Sequence, residues 1–137
     1  MASTAAVTDQ AKQDWLNGVH QPGDTYKIAL YDSTATLSKS TTAYTSSGEV
    51  SGAGYSAGGT ALSGFTVGLS GDIAYVDFAD PSFAAATLTG VVTALIYNSS
   101  RSNKALAVIT GAPASSTSDT FTVVLPAPGA TGSIRIN

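Results

Sequence analysis

A chain of 137 residues, 43% hydrophobic and only 11% charged, has room for one domain and not for a multi-domain enzyme. Its apolar runs stop after a few residues and its mean hydropathy is +0.17, which excludes both a membrane span and a disordered polyelectrolyte. Six Lys and Arg against nine Asp and Glu leave a net charge of −3, and there is no cysteine, so a nucleic-acid binder, a disulfide scaffold and a thiolate metal site are excluded.

The first element in chain order is a helix over Thr8 to Asn17. Val7, Ala11, Trp15 and Val19 recur every four residues with Leu16 beside them, giving one apolar stripe. Thr8 or Thr4 suits the N-cap, Asp9 the first turn, and Gly18 the position past the end. So short a helix is unstable alone and must dock on the rest of the chain or on a neighbouring subunit. Met1 to Thr4 show no basic residue leading into an apolar stretch, so no secretory signal is expected.

Downstream the periodicity is two. Tyr26 to Tyr31 places Tyr26, Ile28 and Leu30 on one face. Between Asp32 and Gly71 the pattern weakens to long loops with short strands near 43–45 and 64–69, anchored by Tyr44, Val50, Tyr55, Leu62, Phe65, Val67 and Leu69. Asp72 to Phe78 alternates again. Thr89 to Tyr97 is apolar on both faces, the mark of a central strand. It is followed by Ala105 to Thr110 across the loop Asn98 to Lys104, then by Thr120 to Leu125 and Ser133 to Ile136. Turns are expected at Asp80-Pro81, Gly111 to Ser118 and Pro126 to Gly132. The sum is an all-β fold, an antiparallel sandwich or jelly-roll, with residues 1–20 as an N-terminal helical arm and 21–137 as one β-sandwich domain.

Reactive groups are few. His20 is the only histidine, no Gly-x-Ser-x-Gly elbow surrounds any serine, and a capping or surface role is expected for it. Asp72, Asp77 and Asp80 come closest to a carboxylate cluster of the kind that serves glycoside hydrolysis or Ca²⁺. They lack an Asp-x-Asp-x-Asp-Gly loop, and Asp80-Pro81 reads as a turn opener. The run Gly52 to Gly59 fails the spacing of a phosphate loop, and its glycines fit turns and close backbone approach. Asn98-Ser99-Ser100 matches a glycosylation acceptor only formally. No catalytic residue, cofactor or metal site is expected, and the chain reads as a non-enzyme.

Tyr31, Tyr44, Tyr55, Tyr75 and Tyr97 are spread among small residues, a mixture suited to core or subunit packing and, alternatively, to a sugar site. The candidate partner contacts are Val7, Trp15, Leu16 and Tyr55, with residues 2–20 as the contact element.

One longer pattern runs through the chain. It begins with Gly18-Val19-His20, Lys27-Ile28-Ala29-Leu30-Tyr31 and Thr41-Thr42-Ala43-Tyr44, and continues with Gly48-Glu49-Val50-x-Gly52-x-Gly54-Tyr55-x-x-Gly58-Gly59. Ala74-Tyr75-Val76-Asp77-Phe78-Ala79-Asp80-Pro81, Ala94-Leu95-Ile96-Tyr97-Asn98 and Ile134-Arg135-Ile136 complete it. In this order the segments resemble a family of small virion structural proteins of tailed bacteriophages. The resemblance implies a particle component assembled in the host cytoplasm, whose partners are the major capsid protein or tail subunits, and it carries no catalytic residues. The leading expectation is a capsid decoration (cement) protein, a homo-oligomer that contacts neither nucleic acid nor membrane. The alternatives are a tail adaptor, collar or fibre-attachment protein and, from another class, a carbohydrate-binding receptor module.

Overall fold

The computed structural model describes residues 3–126 and 134–136. Its elements are β1 (Ser3–Val7), α1 (Asp9–Leu16), β2 (Tyr26–Tyr31), β3 (Thr60–Ala61), β4 (Thr66–Ser70), β5 (Ile73–Asp77), β6 (Ser82–Asn98), β7 (Lys104–Thr122) and β8 (Ile134–Ile136). They make an all-β fold of two antiparallel sheets with one short helix near the start. The larger sheet has the order β1-β7-β6-β2-β3 and the smaller β4-β5-β8.

β2 forms where the alternation predicts it, and its two faces serve two clusters. Tyr26, Ile28 and Leu30 join Ala94, Ile96, Leu106 and Ile109 in the main core, which also takes Val76 and Ile134 from the smaller sheet. Ala29 and Tyr31 face the other way, with Leu95, Tyr97 and Val108, under Ala35, Leu37 and Tyr44 of the loop that follows β2. β6 lies at the centre of the larger sheet, between β7 and β2, as a strand apolar on both faces should.

Three expectations need correction. Gly111 to Ser118 is not a turn but the middle of β7, which runs unbroken from Lys104 to Thr122 and includes the start of the strand expected at Thr120 to Leu125. Its small polar residues hide the period because this stretch of β7 is largely exposed and held by its ladder to β6, while the core side chains of that half of the hairpin, Phe83, Ala86, Leu88 and Val91, come from β6. Register shifts between Phe83 and Thr93 bend that ribbon, and Ala85, Gly90 and Ser118 take up positive φ along it. Ala43 forms only an isolated bridge to Lys104, and β4 occupies 66–70. Residues 3–7 are an edge strand paired with β7 from Ser3↔Gly111 to Val7↔Ala107, so the first twenty residues are not helical throughout. The loop expected at Pro126 to Gly132 lies beyond Pro126 outside the described residues.

The helix itself matches its prediction. Thr8 is its N-cap, with its hydroxyl accepting from the Ala11 N–H at 3.1 Å. The Thr8 backbone N–H reaches the Leu106 carbonyl at 2.9 Å, and its hydroxyl lies 3.2 Å from the Ala105 carbonyl. Between Ile96 and Tyr97 the β6–β7 register slips, with Ile96 opposite Ala107 and Tyr97 opposite Ala105, which leaves Leu106 as the extra residue. Thr8 thus satisfies carbonyls that the bulge withdraws from the ladder.

Candidate functional site

Three groups of side chains stand out: a tyrosine–glutamate knot, a buried histidine cluster, and an apolar edge on the smaller sheet.

The knot is built on Glu49, the only glutamate of the chain. The loop holding it is tied to β2 by the Val50 N–H to the Leu30 carbonyl (3.0 Å) and the Asp32 N–H to the Gly48 carbonyl (3.0 Å). Its carboxylate accepts from the Tyr44 and Tyr55 hydroxyls, both at 2.6 Å, and from the Gly58 N–H at 2.7 Å. The Tyr55 hydroxyl accepts in turn from the Leu30 N–H at 2.9 Å, and the Tyr97 hydroxyl donates to the Gly58 carbonyl at 2.7 Å. Gly59 must be glycine here, because with φ +76° a Cβ would overlap the Ile28 carbonyl. Burial, reinforced by the bond to Glu49, pushes the Tyr44 phenol up to about 12 and moves that of Tyr55 in the same direction. The arrangement is a neutral-phenol, ionised-carboxylate lock on the loop, with every oxygen already engaged.

The second group surrounds His20, which is buried, not a surface cap: its side chain is 0% exposed. α1 brings Asp14 within 3.8 Å of Nε2 and packs Trp15 on the ring at 5.0 Å between centroids. From the β6–β7 turn, the Asn98 side-chain nitrogen lies 3.0 Å from His20 Nδ1 and 2.9 Å from Asp24 Oδ2. Arg101 grips Asp24 in a fork, at 2.8 and 3.0 Å, and holds its carboxyl well below the usual range. Lys104 stands 3.9 Å from Asp14. Desolvation lowers the His20 pKa against the opposing pull of Asp14 and Asp24. The cluster ties α1, the 18–25 loop and the β6–β7 turn together.

The third group is open. β4 is an outer strand of its sheet, and Val67 and Leu69 on it are 65% and 74% exposed. These two were expected as apolar anchors of the 32–71 stretch. Their cross-strand partners Val76 and Ala74 share their face, but the core ends at β5, so the edge strand projects past it. Beside them runs an open groove of about 120 Å³ lined by Trp15, Val67, Ala74, Val76 and Ile134, among others.

The four expected contact residues separate. Trp15 lines this groove and Leu16, next to it, is 85% exposed. Val7 is half-buried in β1 and packs on the core, and Tyr55 is committed to Glu49. Of the tyrosines considered for a sugar site, Tyr97 is buried with its hydroxyl bonded inward, Tyr55 likewise points its hydroxyl into the knot, and Tyr75 is half-buried on β5. Asp80 accepts the Leu125 N–H at 2.9 Å, a tie to a residue 45 positions on rather than a local turn bond, and burial raises the pKa of Asp77 with a smaller push from Asp80. Asp72 is exposed.

No family model, curated protein or solved structure matches the chain. No described helix is long and apolar enough to cross a membrane.

Sequence reasoning missed Glu49, Asp14 and Asn98. Glu49 carried a signal, as a lone glutamate between glycines and flanked by tyrosines, a pattern with phenol donors on both sides of one acceptor. Asn98 carried none, because it meets His20 only through the pairing of β2 with β6, which brings Tyr26 opposite Asn98. Asp14, six residues before His20 on α1, reads locally as a polar helix position and shows its inward placement only once the chain turns back after the helix.

Proposed function

We propose that this chain is a structural subunit of a tailed-phage particle that works by docking, in the first place as a decoration protein binding the assembled shell. The observation that carries the reading is the β4 edge: an outer strand with two exposed aliphatic side chains, next to an apolar groove. Soluble proteins blunt such edges with Lys, Pro or a bulge, and Thr66–Ser70 contains none of these, whereas an edge that a partner covers has no need of them. An added strand from the partner would complete the hydrogen-bond row of β4, while Val67, Leu69 and Leu16 supply apolar area. The sequence pattern from Gly18 to Ile136, with its resemblance to virion proteins, supports the same reading. So does the sparse charge, which lets copies crowd together without long-range repulsion. Repetition over many equivalent sites turns a modest single contact into firm attachment.

The test is sedimentation with purified shells stripped of this protein. The double variant V67K/L69E is expected to lose attachment while its circular dichroism and melting stay those of the parent, since both side chains are exposed. Full attachment of the folded double variant overturns the reading. Saturation at hundreds of copies per particle marks decoration, and saturation at about a dozen or fewer marks the tail alternative.

A further inference from the structure

We propose that His20 is an acid-operated latch between α1 and the β6–β7 turn: a proton taken from water at Nδ1 breaks the bond to Asn98 and frees the 14–24 segment from that turn.

The hydrogen bonds of Asn98 fix the tautomer of His20. Asn98 Oδ1 accepts the Ser100 N–H at 3.0 Å, so the oxygen of this amide points at the turn and the nitrogen at His20. One amide hydrogen then goes to Asp24 Oδ2 and the other to His20 Nδ1. Nδ1 is therefore an acceptor, and the single ring proton sits on Nε2, facing Asp14 Oδ2 at 3.8 Å. A second proton has only Nδ1 to go to, and there it confronts an N–H donor. Asn98 cannot rotate to offer its oxygen without giving up both Ser100 and Asp24. Protonation and the closed joint exclude one another.

Four charged side chains act on the ring. Asp14 from α1 and Asp24 from the 18–25 loop favour the imidazolium; Arg101 from the turn and Lys104 from β7 oppose it. Tyr26 and Trp15 close the remaining sides with their rings, 6.3 and 5.0 Å away. Burial outweighs the carboxylates, so the site titrates below the ordinary 6.5. The closed joint is intact above 6.5 and weakens as the pH falls below it, because the released state binds the proton more readily. Trp15 both packs on His20 and lines the groove beside β4, so opening the latch also remodels that groove. The latch itself does not depend on the function proposed above.

The chain has one histidine and one tryptophan, which makes the experiment unambiguous on the full protein. The imidazole C–H resonance and Trp15 fluorescence are followed from neutral pH into acid, together with amide exchange. The expected result is a single-proton step in both signals, with its midpoint below 6.5. Across the same step the amides of Val19, Thr25 and Ser99, bonded to Asp14, Ser100 and Thr25, lose protection, while those of Leu95 and Ile109 keep theirs. In Asn98→Asp a carboxylate replaces the donor and welcomes a proton on Nδ1, so the midpoint rises by about one pH unit or more, a tenfold change in proton affinity. A parent midpoint at or above 6.5, a step that leaves the 18–25 amides protected, or global unfolding in the same step overturns the proposal. Because the parent titration alone decides these, a failure of Asn98→Asp to fold does not shelter it.

Discussion

Replacing Glu49 tests whether the tyrosine knot holds the central loop in place. Its carboxylate takes three donors at 2.6, 2.6 and 2.7 Å, two phenols and one backbone amide. A hydrogen bond to a charged acceptor contributes about 1.5–3 kcal/mol, so three would sum to at least about 4.5 kcal/mol if all were fully shielded. Glu49, Tyr44 and Tyr55 are only half-buried, and water reaches some of the abandoned donors. Glu49→Ala is therefore expected to lose about 3 kcal/mol. In urea, with a slope of about 2 kcal/mol per molar, the midpoint falls by about 1.5 M. Glu49→Gln keeps an oxygen for Tyr55 and Gly58 and presents its amide to the Tyr44 oxygen, so it loses only about 1 kcal/mol. It also removes a negative charge, so the Tyr44 phenol, held up to about 12 in the parent first by burial and then by Glu49, ionises at a lower pH while burial still keeps it raised. A loss under about 1 kcal/mol for Glu49→Ala, or equal losses for the two variants, refutes the argument that these bonds organise the loop.

Two further expectations follow from the same physics. Tyr26 and Tyr44 are raised to about 12, and Tyr31, Tyr55 and Tyr97 are raised as well, burial being the first cause for each. The unfolded chain releases these phenol protons near 10 while the folded chain keeps them, so stability is level up to that pH and declines above it, which thermal melts across the alkaline range would record. Gly59→Ala combines φ +76° with a Cβ overlapping the Ile28 carbonyl, and should cost more than about 3 kcal/mol; Gly71→Ala, at φ +62° with nothing within 4 Å, should cost only the left-handed penalty of about 1–2 kcal/mol. Similar melting temperatures for these two variants contradict the close approach.

Strands with strong alternation were legible, and so was the helix. β2 runs over Tyr26–Tyr31 as read, and the central place of Thr89 to Tyr97 followed from its two apolar faces. Gly111 to Ser118 was opaque for a physical reason: this half of β7 is mostly exposed and leaves the core to Phe83, Ala86, Leu88 and Val91 of its partner β6, so its own side chains carry no apolar alternation. β1 was hidden in the same way, since Ser3 to Val7 is short, small-residued and lies at a sheet edge. Val67 and Leu69 follow the period of a buried strand, and nothing in the sequence says that the core ends one strand earlier. His20 illustrates a different limit. Its burial comes from residues as far off as Asn98, 78 positions away, and local context alone points to solvent.

The pairing of β1 with β7, sealed by Thr8 on Ala105 at a separation of 97 positions, sets an order of events. A ribosome releases residues 3–16 long before it releases the stretch that receives them, at roughly 5–20 residues per second. For several seconds the amphipathic opening of the chain, tryptophan included, has no native shelter. It must find temporary cover, from a chaperone or from passing contacts of its own, until the β6–β7 hairpin is made and residues 3–8 can be fastened to it.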